Sequence, residues 1–142
     1  MNRWMYSFAG VLLLVSMLMT PLAAFGQAVY AGPPVTLPKS HGDCGIYSYR
    51  AFNGTAGQLL TSSVSANDSL NIYLMNAAEF EAWQHQTVSG GICTPAATIA
   101  SQINVASTVL NATIPATGTY YLVLNNLSPS SAATATVTAN LT

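Results

Sequence analysis

The segment Ala133-Thr-Ala-Thr-Val-Thr-Ala-Asn-Leu141 decides the fold class of this chain. Apolar residues occupy every second position and threonine or asparagine the positions between, the period expected of a strand with one face buried and one in water. Clean alternation of this kind belongs to antiparallel sheets. Its inner row, Ala133, Ala135, Val137, Ala139 and Leu141, is unusually small.

Toward the N-terminus the same signal recurs between turn residues. Pro129-Ser130 precedes the last strand, Thr119 to Leu127 forms another with Tyr120, Leu122 and Leu124 on one face, and Pro115 to Gly118 turns back to a strand from Val105 to Ile114. Residues between Cys93 and Asn104 carry no assignable pattern. Asn76 caps a short helix from Ala77 to about His85, with Glu79 placed to complete a capping box. Phe80 and Trp83 share a face of that helix, expected to plug an open end of the sandwich rather than to line a ligand site. Earlier, Gln58 to Ala66 and Leu70 to Leu74 read as the two strands of a hairpin about Asn67-Asp68, and Ile46 to Phe52 runs up to an Asn53-Gly54 turn. The expected fold is all-β, an antiparallel, jelly-roll-like β-sandwich over residues 44–142 with one short helix.

Before it, Arg3, an apolar run from Phe8 to Met19, Pro21, and small residues up to Ala28 have the order of a secretory signal peptide, residues 1–28, with Gly26 a second cleavage position and a retained pilin-type helix the competing reading. Cleavage leaves no stable membrane anchor. Residues 29–43 then form an extended tail in which Pro33, Pro34 and Pro38 forbid helix. Charged residues make up 5% of the chain, against about 25% in ordinary domains. So few cations cannot neutralise phosphates, which argues against nucleic acid as a partner.

Cys44 and Cys93 form an even count in an exported chain and are assigned to one disulfide. A metal site drawing on His41, Asp43, Cys44, His85 and Cys93 competes with that pairing but lacks ligand pairs at zinc spacing. No cofactor is implied and no catalytic residue is assigned. Glu79 and Glu81 diverge on a helix, and no nucleophile elbow or phosphate loop occurs. Sequons at Asn53, Asn67, Asn111, Asn126 and Asn140 are candidate glycosylation sites, against roughly two by chance.

Leu70-Asn-Ile-Tyr-Leu-Met75, Glu79-Phe-Glu-Ala-Trp83 and Thr117-Gly-Thr-Tyr-Tyr-Leu-Val-Leu-Asn-Asn126 together resemble exported β-sandwich modules of the pre-peptidase C-terminal type, through Gly118, Tyr120 and Leu122. Such modules are appended to secreted enzymes. A free-standing sandwich with an extended tail also resembles the subunits of archaeal surface filaments, threads or pili, in which one subunit's tail completes the neighbour's sheet. That resemblance implies a non-enzymatic cell-surface structural protein whose partner is itself, a homopolymer, with Val29, Tyr30, Val35 and Leu37 as donor-strand residues for the groove along Ala133 to Ala139. A tail of this length reaches about 50 Å when extended, enough to cross to a neighbour. The alternative is a monomeric extracellular binding module for carbohydrate or protein, with Tyr47, Tyr49, Tyr73 and Tyr121 as its glycan platform.

Overall fold

The computed structural model describes residues 26–40, 44–86 and 93–142, so the signal-peptide reading, His41 and Asp43 lie outside the described residues. The strands are β1 (Gln27–Ala31), β2 (Val35–Leu37), β3 (Ile46–Gly54), β4 (Leu59–Asn76), β5 (Ala100–Thr113), β6 (Gly118–Asn126) and β7 (Ala133–Leu141), with helix α1 (Ala77–Gln84) after β4. All the pairings are antiparallel. The fold is therefore all-β with a single short helix among the described residues.

β4 organises the whole. One of its edges pairs with β5, and the other pairs first with β7 (Leu60↔Leu141 to Ala66↔Ala135) and then with β6 (Asn71↔Asn125 to Asn76↔Tyr120). The sheet thus divides into two leaves, β7 with β1 and β2 on one side and β6 with β3 on the other. Between the leaves lies one core, containing Phe52, Leu60, Val64, Ile72, Leu74, Leu110, Ile114, Tyr120, Leu122 and the whole inner row of β7. Bulk from Phe52, Tyr120 and Leu122 complements the small row that alternation marked on β7.

The hairpin expected about Asn67-Asp68 is not formed; the two segments are one eighteen-residue strand. Ser65 pairs with Ser107 and Leu70 with Val105, so the residues between them bulge out of a ladder that resumes in the same direction. Their side chains serve distant backbone rather than a local turn. Asn67 Oδ1 accepts the Thr134 amide at 2.7 Å, and the Asp68 carboxylate accepts the Ser131 hydroxyl and, at 2.7 Å, the Ser69 amide. The turn after β3 also lies beyond Asn53-Gly54, over Thr55 to Gln58, where Gln58 donates to Thr55 O at 3.1 Å and Gly57 takes φ +88°. β5 begins at Ala100, inside the stretch without sequence pattern; there Asn104 turns left-handed (φ 57°) with its amide on Asn71 Oδ1 at 2.8 Å.

The helix forms as read. Asn76 Oδ1 accepts the Glu79 amide and Glu79 Oε2 accepts the Asn76 amide, both at 2.9 Å, satisfying two otherwise orphaned donors. Phe80 and Trp83 do not plug an end of the sandwich: they lie with Tyr73, Met75 and Val123 in a second cluster, on the outer face of β4 and β6. Residues 70–75 are consequently buried on both faces, which is why that segment is nearly continuously apolar.

The tail docks on its own chain. β1 pairs with the C-terminal half of β7 (Gln27↔Leu141 to Ala31↔Thr138) and β2 with the N-terminal half (Val35↔Ala135 to Leu37↔Ala133), Gly32 to Pro34 spanning the gap. Tyr30 and Leu37 are buried in the core and Val29 and Val35 pack against it. Asn126 locks this arrangement. Its Nδ2 donates to Pro38 O at 2.9 Å, Leu37 O at 3.4 Å and Ser131 O at 3.0 Å, while its Oδ1 accepts the Ser128 amide at 2.9 Å. Arg50 stacks over the Tyr30 ring 4.9 Å from its centroid, a cation–π contact between β3 and β1.

Candidate functional site

The helix and the outer face of β3, β4 and β6 build an aromatic layer. In an antiparallel sheet, residues two apart face the same way, so Tyr47 and Tyr49 of β3 align with Tyr121 and Val123 of β6 and with Tyr73 and Met75 of β4. Helix α1 covers the β4 side and leaves β3 open. Phe80 stacks on Tyr121 with centroids 4.1 Å apart and planes 10° from parallel, and Tyr49 leans on Phe80 at 4.9 Å and on Tyr121 at 5.7 Å. Tyr47 meets Trp83 edge-on at 4.8 Å, and its hydroxyl accepts Gln84 Nε2 at 3.0 Å. Tyr47 is 36% and Tyr49 46% exposed.

Three of the four tyrosines proposed for a platform therefore come together at the surface. The fourth, Tyr73, is 1% exposed and forms the floor, 6.0 Å from Trp83 with its hydroxyl accepting Asn71 Nδ2 at 3.0 Å. Alternation alone placed it with the others; the helix decides that it is covered. Phe80, Trp83 and Gln84 belong to the site too, and only the packing of the helix on this face reveals it.

The Cys44–Cys93 disulfide braces the same end of the molecule. The two Cα atoms are 4.5 Å apart, Cys93 is fully buried, and its carbonyl accepts Trp83 Nε1 at 3.5 Å. Gly45 follows at φ +78°, where a Cβ would lie 2.6 Å from both Asn125 Oδ1 and Asn126 O, so no side chain is tolerated. The Asn125 side chain is fully buried with neither amide atom partnered. With both thiols in the disulfide, the proposed metal set loses two ligands, and no group of three His, Cys, Asp or Glu side chains is placed to hold a metal among the described residues. Glu79 is occupied by the helix cap and Glu81 is exposed.

Asn53, Asn67, Asn111 and Asn140 are exposed, but Asn126 is fully buried and the nitrogen that would carry a sugar donates to three carbonyls. In the folded chain the Asn126 side chain is thus engaged in the interior rather than presented to a sugar. Asn111-Ala-Thr113 and Asn140-Leu-Thr142 carry both motif residues on the outer face, as any Asn- and Thr-rich half-buried strand will. Such strands generate sequons by alternation alone.

Among the described residues, Asp68 and Tyr73 couple the fold to pH. The Ser131 hydroxyl and Ser69 amide hold the Asp68 carboxyl below the ordinary carboxylate value. Burial pushes the Tyr73 hydroxyl above the ordinary tyrosine value, an effect opposed by its bond from Asn71. Stability from Asp68 is present above the unfolded carboxylate pKa and is lost as pH falls through the lower folded value. Tyr73 acts oppositely: its contribution is complete below the unfolded tyrosine pKa and is lost as pH rises toward the higher folded value. Urea midpoints are therefore expected to be flat from about pH 5 to 9 and to fall only outside that plateau; a midpoint that moves within it would show a further coupled group.

No protein-family model and no curated protein sequence matches the chain. Among solved structures it is similar to PliG of Aeromonas hydrophila, a periplasmic inhibitor of g-type lysozyme, at 14% identity and a TM-score of 0.48 over 77% of this chain and 86% of that one.

Proposed function

We propose that this protein is an exported, non-enzymatic binding module that takes a neutral glycan on the face formed by Tyr47, Tyr49 and Tyr121. The observation that carries this reading is the immobilised, half-open pair Tyr47–Tyr49, with ring centroids 6.4 Å apart and planes inclined by 31°. Rings fixed by their neighbours offer apolar area at little entropic cost, with hydroxyl and amide groups at the rim to orient a polar ligand. The signal-type N-terminus and the disulfide support export. The three tyrosine rings and the Gln84 amide that holds Tyr47 present neutral polar groups, which suit an uncharged ligand. The test is a glycan array followed by calorimetry on the best binder. Tyr49→Ala is expected to weaken binding at least tenfold, about 1.4 kcal/mol, with Thr136→Ala on the opposite leaf leaving it unchanged. No glycan binding, or binding indifferent to Tyr49→Ala, sinks the proposal.

A second proposal is a filament subunit that assembles by strand donation, and one observation favours it. Val29, Tyr30, Val35 and Leu37, the residues proposed for strand donation, all lie on the β1 and β2 segments that line β7. A tail exchanged between copies would make the same contacts, and electron microscopy of the exported chain separates polymers from single molecules.

A further inference from the structure

We infer that the free edge of β5 is a self-association surface, taking the β5 of a second copy antiparallel about a two-fold axis at Val109. Among the described residues β5 pairs only with β4, so its other edge is open. Seven consecutive pairs, Leu59↔Thr113 to Ser65↔Ser107, keep this part of the strand regular. Ile114 donates to Gln58 O and accepts from the Gly57 amide, both at 2.8 Å. The even-numbered residues of the stretch thus turn their main chain toward β4, and by alternation Ser107, Val109, Asn111 and Thr113 turn theirs away. Those amides and carbonyls form a ready template for another strand.

Edges that must stay solitary carry lysine, proline, bulges or inward charges. Residues 105–113, VASTVLNAT, hold no charged residue, no proline and no glycine. Val109 at the centre is 54% exposed. A two-fold axis through it sets Val109 against its own copy, Ser107 against Asn111 and Thr108 against Leu110. Outward-facing main chain then meets outward-facing main chain, and an exposed apolar side chain is covered by its equal. A second copy is the occupant these features favour over a foreign peptide: the edge has no charge to select one, and a chain of net charge −1 meets its copy with little repulsion. The left-handed turn at Asn104 ends the usable edge on the other side.

Sedimentation velocity on the exported, unglycosylated chain over a concentration series tests this. The expected result is a mass that doubles as concentration rises. Val109→Lys brings two ammonium groups together on the axis, and Asn111→Pro removes an amide that serves the edge but not β4; each is expected to hold the protein at monomer mass. Hydrogen exchange gives an internal control: the Val109 and Asn111 amides should gain protection with concentration, while those of Leu110 and Ala112, bound to β4, should not. A mass independent of concentration, dimers that survive both substitutions, or edge amides that exchange alike at all concentrations would overturn the inference.

Discussion

Replacing Cys44 and Cys93 together by serine is expected to lower the stability of the folded domain by about 4 kcal/mol. The bridge spans a sequence separation of 49 residues, and closing a loop of that size removes a corresponding entropy from the unfolded chain. Its anchor points matter as well. Cys44 lies two residues before β3, which carries the exposed tyrosines, and the Cys93 carbonyl accepts the indole hydrogen bond from the helix that backs them. A domain of about a hundred residues loses roughly 4 to 8 °C for each kcal/mol, so thermal unfolding with and without a thiol reductant should give widely separated midpoints. A loss below about 1 kcal/mol would mean that the unfolded chain is already held compact by other contacts.

Asn126→Ala is expected to cost about 3 kcal/mol and to loosen the tail before the rest of the molecule. Each carbonyl that loses its donor while shielded from water costs about 1 to 3 kcal/mol, and the side chain serves three carbonyls and one amide. Two of those carbonyls, Leu37 and Pro38, belong to the tail, so the damage falls on the pairing of β2 with β7. Urea denaturation measures the total, and limited proteolysis between Gly32 and Lys39 reports the tail. Asn126→Asp is the sharper variant. It keeps an acceptor for the Ser128 amide but places oxygen against the three carbonyls, and should be at least as damaging as alanine. An aspartate variant of native stability would show that the donor is not what holds the tail.

Both effects arise from residues whose types were visible in the sequence, yet they were legible to different degrees. The cysteines could be paired because only one pairing exists. Asn126 could not be placed, because Asn-Leu-Ser is a sequon wherever it falls, and only the arrival of Leu37 and Pro38 from far away in sequence converts it into a clamp. The candidate site divides in the same way. Tyr47, Tyr49 and Tyr121 follow from strand alternation, whereas the covering of Tyr73 and the recruitment of Phe80, Trp83 and Gln84 depend on which sheet face the helix lies against.

By itself, the sequence determined what is local. Period-two alternation specified β7 and β6, the Asn76–Glu79 capping box specified the start of α1, and the small row along β7 marked the groove that Val29, Tyr30, Val35 and Leu37 line. Tertiary structure alone decided where polar turn-formers spend their hydrogen bonds. Asn67 and Asp68 have the chemistry of a tight turn, but Thr134 and Ser131 engage them from across the sheet, and β4 runs on as one strand joining two leaves. The physical reason is common to every such difference: a side chain's hydrogen-bonding capacity is written in its residue type, while the partner that uses it is chosen by the folding of distant chain.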